Sequence, residues 1–288
     1  MYPYDRSMAS TNDSIILITG ATDGLGKRVA RDLAARGAAV LLHGRNADKG
    51  GAVLSELRRE TGSEKLTYYN ADFASLEEVR DLADQLLEEH DRLDVLINTA
   101  GIGFGAPGSG REESREGYEL RFQVNYLASF LLTLRLLPLL RRARPSRIVN
   151  VASGAQQPID FDDVMLERGY SGHQAYGQSK LAQIMFTMEL AARLNTSDVT
   201  VNALHPATYM DTNMVREADI NPTNTVQVGA DAVVRLAAAP ELDDTSGRYF
   251  DGTRPSRAHG DAYDGPTRLR LWQLSEVLSV SSIHDAER

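Results

Sequence analysis

The sequence predicts a single α/β domain in which helices cover both faces of a doubly wound parallel sheet. Short apolar segments alternate along the chain with longer segments whose apolar residues recur at helical spacing. No linker, internal repeat or low-complexity segment interrupts this alternation over the 288 residues. We therefore expect a polar tail over residues 1–13 and one domain over residues 14–288.

The predicted strands are short runs rich in valine, isoleucine and leucine, as expected for a sheet buried on both faces. They cover Ser14–Thr19, Ala38–Leu42, Lys65–Asn70, Leu93–Asn98, Arg147–Ala152, Val199–Leu204 and Gly247–Phe250. The predicted helices cover Gly26–Arg36, Gly51–Thr61, Leu76–Glu89, Tyr118–Leu140, Ala175–Leu194, Val228–Ala238 and Thr267–Leu278. Residues 207–225 follow neither pattern and are predicted to form a mobile substrate loop.

Composition excludes several classes of function. The net charge of −9 argues against a broad surface for nucleic acid or anionic membrane. The chain has no cysteine and its six histidines lack metal-binding spacing, so we predict no disulfide, thiolate nucleophile or metal site. The N terminus lacks a signal-peptide pattern, and the apolar run Phe130–Leu140 is interrupted by Arg135 and Pro138 and is too short to span a bilayer. We expect a cytoplasmic protein without a membrane anchor.

A glycine-rich turn, TGATDGLG over residues 19–26, follows the first predicted strand. Glycines at this point let a pyrophosphate approach the helix N terminus, where backbone N–H groups and the helix dipole stabilise negative charge. The second strand is followed by Arg45, and no carboxylate occurs before Asp48. A carboxylate here would suit the ribose of NAD, whereas arginine suits a 2′-phosphate. The pattern favours NADP(H) binding, the alternative being an ordinary turn and a solvated arginine.

Tyr176 and Lys180 lie four residues apart in a predicted helix and therefore on the same helix face. A nearby ammonium favours the phenolate and is expected to lower the tyrosine pKa toward the working range. Ser153 follows the strand Arg147–Ala152, so it lies at the carboxyl edge of the sheet, where α/β proteins bind ligands. Each residue taken singly could be structural, as a surface pair or a turn serine.

The spacing TGxxxGxG, with Ser153, Tyr176 and Lys180 downstream in this order, resembles the short-chain dehydrogenase/reductase family, which has a Rossmann-type fold. The sequence Ala71-Asp72-Phe73 resembles the family's adenine-binding turn, and Asn98-Thr99-Ala100-Gly101 resembles its NNAG motif. The resemblance implies cofactor contacts from Thr19, Gly20, Thr22, Asp23, Gly24, Leu25, Gly26, Arg45, Asp72, Phe73, Asn98, Ala100, Gly101, Tyr176, Lys180, Pro206 and Thr208.

The same resemblance implies a catalytic set. Hydride passes from the nicotinamide to a carbonyl carbon, Ser153 orients the carbonyl oxygen, and Tyr176 protonates it. Lys180 lowers the tyrosine pKa and binds the nicotinamide ribose, and Asn125 helps to hold a water chain that reaches the lysine. Two other activities stay open: a redox-neutral biosynthetic reaction such as epimerisation, dehydration or cyclisation, and NADP(H) sensing without turnover.

The segments IDFDD (159–163) and LWQLS (271–275) resemble the retinol-dehydrogenase and WW-domain-oxidoreductase-like branch of this family. That branch implies a fairly apolar small-molecule carbonyl or alcohol as substrate. Ala207 stands where the family usually has glycine, which is expected to change the path of the loop rather than to prevent cofactor binding. The apolar helix Tyr118–Leu140 and the helix carrying Tyr176 are expected to pair across a two-fold axis in a homodimer or homotetramer.

Overall fold

One eight-stranded sheet forms the centre of the protein, with strand order β3-β2-β1-β4-β5-β6-β7-β8. The computed structural model describes residues 11–106, 108–194 and 198–281, so most of the predicted polar tail lies outside the described residues. The neighbouring strands pair in parallel except β7 and β8, which are antiparallel. The strands are Ile15–Thr19 (β1), Ala39–Gly44 (β2), Leu66–Asn70 (β3), Val95–Asn98 (β4), Ser146–Val151 (β5), Val199–His205 (β6), Arg248–Asp251 (β7) and Arg254–Ser256 (β8).

Helices cover both faces of the sheet, as predicted. They are Gly24–Ala34 (α1), Ala47–Thr61 (α2), Leu76–Glu89 (α3), Ala128–Ala143 (α4), Gly172–Arg193 (α5), Asn213–Glu217 (α6), Val226–Ala238 (α7) and Gly265–Ser281 (α8). Helices α1, α2 and α7 share one apolar core, and α3, α4, α5 and α8 share the other. The doubly wound fold predicted from the sequence is therefore confirmed.

Side-chain caps set the starts of three helices. Asn46 accepts a hydrogen bond from the backbone N–H of Lys49, so α2 begins at Ala47, four residues before the predicted start. Ser75 caps α3 in the same way, and that start was predicted correctly. At α1 the carboxylate of Asp23 accepts from the backbone N–H of Gly24.

The long apolar helix differs from the prediction at its start. A π-helical turn, Phe122–Leu127, leads directly into α4. Glu119 lies inside the predicted helix but three residues before the π turn, and its side chain accepts a hydrogen bond from the backbone N–H of Phe122, the first residue of that turn. The helix continues through Pro138, and Phe122–Ala143 is long and apolar enough to cross a membrane by length and composition, which corrects the expectation from the shorter leucine-rich run. In the folded protein, 72% of the most apolar 18-residue stretch of this helical segment is buried.

The C-terminal helix α8 packs on the second core. Trp272 lies against Phe130 of α4 and Phe186 of α5, with ring centroids 5.2 and 6.0 Å away. The hydroxyl of Ser275 is 2.6 Å from that of Tyr126 in the π turn. Helix α8 thus covers apolar surface of α4 and α5, the surface on which the expectation of a homo-oligomer was based.

Candidate active site

A cavity of about 560 Å³ lies at the carboxyl ends of the central strands. One end is formed by the glycine-rich turn after β1 and the residues after β2, and the other by the loop after β4 and residues 206–220. Most of the predicted site residues line this cavity. Four of them lie behind its wall instead: Thr19, Phe73, Asn98 and Asn125.

The glycine-rich turn is shaped by close backbone contacts. Gly20 has a φ of +67°, and a Cβ atom at this position would lie 2.7 Å from the Cα atom of Ala100. A Cβ at Gly26 would lie 2.3 Å from the carbonyl oxygen of Gly20. The Thr19 hydroxyl accepts hydrogen bonds from the N–H groups of Thr99 and Ala100, so it joins the ends of β1 and β4. The turn is therefore packed too closely for a side chain at Gly20 or Gly26, and a ligand would have to lie on the cavity side of its backbone.

Two of the residues behind the wall support the cavity through buried contacts. The Asn98 amide donates to the side chains of Thr133 and Asn150, which ties β4 to α4 and β5. The ring of Phe73 stacks on His43 with a centroid distance of 4.3 Å. Both residues were predicted to contact the cofactor directly, and both side chains here contact the protein.

Arg45 and Lys49 are the exposed cations at the glycine-turn end of the cavity. Lys49 forms an ion pair of 2.6 Å with Asp23, whose carboxylate also accepts from Gly24 and Asn213. Partial burial raises the pKa of Asp23, but the bonds to Lys49, Gly24 and Asn213 outweigh it and hold the pKa below its usual value. Lys49 was missed from the sequence, although it lies in the first turn of α2, shortly after Arg45.

Ser153, Tyr176 and Lys180 meet in the middle of the cavity. Burial raises the pKa of Tyr176, and a hydrogen bond with Ser153 partly offsets this effect. Burial also lowers the pKa of Lys180 to about 7, and its ammonium group donates to the Val151 carbonyl and to Gln183. The lysine nitrogen lies 5.7 Å from the centroid of the Tyr176 ring.

The groups that shift the pKa of Tyr176 in the structure therefore do not include Lys180. Spacing predicted that the ammonium of Lys180 lowers the pKa of Tyr176. In the structure burial dominates for both residues, because the phenolate and the ammonium both lose hydration in this site. The two side chains are brought together as predicted, but the pKa of the tyrosine is shifted upward.

Asn125 lies in the π-helical turn behind the wall. Its side-chain oxygen accepts from the N–H of Ile102, and its side-chain nitrogen donates to the Ile102 carbonyl and to the hydroxyl of Ser179. It therefore joins the loop after β4 to α5 next to Lys180. The side chain makes no direct bond to the lysine among the described contacts, so the implied relay stays a prediction.

The other end of the cavity is largely apolar. Ile102, Phe104, Met214, Val215 and Ile220 line it. The Phe104 ring packs edge-on against the Tyr176 ring with centroids 4.6 Å apart, and it stacks on the His173 ring with centroids 4.5 Å apart. Among the described lining residues, the lysines and arginines lie only beside the glycine turn and next to Tyr176.

Residues 207–225 lie across the mouth of the cavity and include the short helix α6. Ala207 is not among the described residues with positive φ, whereas Tyr209 has a φ of +44°, so alanine fits the loop path without strain. Thr208 is hydrogen-bonded to the ring of His205 over 3.0 Å. Pro206 and Thr208 both line the cavity, as predicted.

Comparison with known proteins agrees with this geometry. The sequence profile of the short chain dehydrogenases matches residues 14–222. This chain belongs to the short-chain dehydrogenase family. The match includes the glycine turn, Ser153, Tyr176 and Lys180, and ends inside the loop across the cavity mouth.

Several proteins similar to this chain are retinol dehydrogenases. Retinol dehydrogenase 13 of Homo sapiens is 38% identical, and the alignment covers 94% of this chain and 86% of that protein. Retinol dehydrogenase 14 of Homo sapiens is 38% identical, with 91% and 85% covered. The predicted resemblance to the retinol-dehydrogenase branch is confirmed.

Two solved structures have the same fold as this chain. A protein of Mycobacterium paratuberculosis superposes with a TM-score of 0.77 at 31% identity, covering 94% of this chain and 95% of that one. A short chain dehydrogenase of Escherichia coli CFT073, complexed with NADPH, superposes with a TM-score of 0.69 at 29% identity, covering 84% and 97%.

Proposed function

We propose that this family member is an NADP(H)-dependent oxidoreductase that interconverts a carbonyl and an alcohol on a fairly apolar small molecule. The observation that carries the proposal is one continuous cavity. It joins a glycine turn flanked by cations, the group of Ser153, Tyr176 and Lys180, and an apolar end. A dinucleotide and a small apolar substrate would meet at the catalytic group in such a cavity.

The residues fit the phosphorylated cofactor. Glycine at positions 20 and 26 lets the turn pack closely on itself and on the backbone after β4, and Arg45 and Lys49 offer two cations where an NAD site usually has a carboxylate. The NADPH complex of the related Escherichia coli dehydrogenase supports the same assignment. We propose that the other predicted cofactor residues that line the cavity contact the cofactor directly. Thr19, Phe73 and Asn98 lie behind the cavity wall, and we propose that they support the residues in front of them.

The chain's own residues supply orientation and proton transfer. When bound, NADPH supplies the hydride for reduction of the carbonyl carbon. Ser153 donates to the substrate oxygen and keeps it next to Tyr176, whose hydroxyl gives its proton to the developing alkoxide. A raised tyrosine pKa keeps this proton in place until the oxygen becomes basic. Lys180, protonated below a pH of about 7 in the protein alone, stabilises the tyrosinate that is left.

The apolar end of the cavity supports an uncharged substrate. Glu217 is the carboxylate near that end, and no lysine or arginine among the described lining residues could pair with a substrate carboxylate or phosphate there. We therefore favour a ketone, an aldehyde or the corresponding alcohol over a substrate with an anionic group beside the reacting carbon.

The other sequence-based expectations remain proposals. A single cofactor-binding domain over residues 14–288 agrees with the continuous sheet. A cytoplasmic location without a membrane anchor stays a prediction, as does the mobility of residues 207–225. A homodimer or homotetramer also stays a prediction, although α8 now covers the apolar surface that first suggested it.

The test is the substitution Tyr176→Phe, with Tyr69→Phe as the matched control. Both remove only a hydroxyl, but that of Tyr69 bonds to Glu89 and His90 at the end of α3, outside the cavity. With NADPH and a panel of apolar ketones and aldehydes, we expect turnover to fall roughly 10²- to 10⁴-fold in Tyr176→Phe while NADPH still binds. The control should keep its activity.

The same assay separates the alternatives. Substrate conversion without a change in NADPH absorbance would indicate the redox-neutral reaction. NADPH binding without turnover of any panel compound would favour the sensing function. Near-normal turnover by Tyr176→Phe would show that the tyrosine is structural.

A further inference from the structure

His43 is a buried polar side chain that the proposed reaction does not use. It is the fifth residue of β2, and only 2% of its surface is exposed. It lies at the glycine-turn end of the cavity, between the turn after β1 and the segment after β3. From the sequence it was one of several scattered histidines without an assigned role.

Both ring nitrogens of His43 are bonded to backbone groups. Nε2 is 3.0 Å from the carbonyl oxygen of Ala71, which can only accept, so Nε2 carries the proton. Nδ1 is therefore free to accept, and the N–H of Gly20 lies 3.3 Å away. Burial lowers the pKa of the ring to about 4, so the neutral form that this pattern needs is present at neutral pH.

The same residue makes two more contacts at this end of the cavity. Its carbonyl oxygen accepts from the N–H of Ala21 over 2.8 Å, the residue after Gly20. Its ring stacks on Phe73 at an interplanar angle of 21°, two residues after Ala71. His43 thus connects the glycine turn with the turn after β3 through its ring and its backbone.

We infer that His43 is a positioning residue that fixes the glycine turn against the turn after β3 and so preforms the binding surface for the dinucleotide. This inference rests on the proposed function, because it assigns a role within that cofactor site. Removal of the ring would leave the partly buried N–H of Gly20 and the buried carbonyl of Ala71 without this partner. The turn would then adopt other positions, and cofactor binding would have to restore the productive one.

His43 differs in its contacts from the residues proposed to bind the 2′-phosphate. His43 bonds to the backbone of the two turns and not to a cation at the phosphate end. Its loss should therefore weaken NADPH and NADH by the same factor. Substitution of Arg45, in contrast, should weaken NADPH selectively.

The experiment measures dissociation constants of NADPH and NADH for His43→Leu and His43→Asn by fluorescence titration, with kcat at saturating cofactor. His43→Leu removes both ring bonds, whereas the asparagine oxygen can still accept from Gly20. We expect both constants to rise together, roughly 5- to 100-fold for leucine and less for asparagine, with kcat within about twofold. His90→Leu, which removes a ring bonded to Tyr69 outside the cavity, should change neither constant.

The outcomes distinguish the inference from the proposed function. If the unmodified protein binds neither cofactor, the proposed function fails. If it binds them and a folded His43 variant keeps the original constants, or loses NADPH selectively, the inference is overturned. Should His43→Leu not fold, as seen by circular dichroism, His43→Asn decides the question with the same readouts.

Discussion

Cofactor preference gives the sharpest test of the cation pair at the glycine-turn end. The substitutions Arg45→Gln and Lys49→Gln each remove one positive charge from the proposed 2′-phosphate site. We expect each to weaken NADPH and to leave NADH almost unchanged, because NADH lacks the phosphate. The double variant should bind the two cofactors with similar affinity.

The expected sizes of the two effects differ because Lys49 already has a partner. A charge-assisted hydrogen bond to phosphate contributes about 1.5–3 kcal/mol, which corresponds to about 10- to 150-fold in affinity. Lys49 must first leave Asp23, and both side chains of this pair are 48% exposed. A pair of that exposure contributes at most about 1 kcal/mol. If the pair contributes this full value, the net effect of Lys49 is about 0.5–2 kcal/mol, or about 2- to 30-fold.

Titration of both cofactors at low and physiological salt measures these effects. Lys27→Gln is the matched control, since Lys27 is a cation paired with Glu56 on neighbouring helices and does not line the cavity. It changes the net charge equally and should alter neither constant beyond the screened long-range effect. Equal affinity of the unmodified protein for NADPH and NADH, or equal loss of both in Lys49→Gln, would refute the assignment.

Two further predictions concern Lys180 and the apolar end of the cavity. Because burial lowers the pKa of Lys180 to about 7, the unfolded chain binds more protons than the folded one above that pH. The free energy of unfolding should thus rise between about pH 7 and 9 in urea titrations, and Lys180→Met should flatten this slope; an unchanged slope contradicts the assignment. Phe104→Ala should lower the KM of bulky ketones relative to small ones without changing the NADPH dissociation constant, because it opens space beside Tyr176; an unchanged KM ratio would show that Phe104 does not shape the substrate site.

The fold and the grouping of Ser153, Tyr176 and Lys180 in one cavity could be predicted because their signals are local. Continuous apolar runs identify buried parallel strands, and residues that directly follow such strands must lie at the same edge of the sheet. Ser153 and the glycine turn were located on this basis. The pair of Tyr176 and Lys180 needed only helical spacing. Strand β8 and helix α6 were missed because they have three and five residues and no periodic pattern.

The remaining features depend on contacts that are distant in sequence. The link from His43 to Gly20 and Ala71 joins three strand ends that only the folded sheet brings together. The upward shift of the Tyr176 pKa reflects burial, which spacing along one helix does not reveal. The covering of α4 and α5 by α8 likewise could not be read from the amphipathic pattern of each helix alone.

The loop across the cavity mouth has a kinetic consequence, because it contacts both ends of the site. The methyl group of Thr212 lies 3.1 Å from the position of a Cβ on Gly24, and Met214 lies 2.7 Å from the corresponding position on Gly103. Asn213, between them, bonds to Asp23. One continuous segment therefore spans both ends of the cavity, where we propose that the dinucleotide and the substrate bind. Either ligand would have to wait for the same opening event before it could leave, so the departure rates of the two would be coupled.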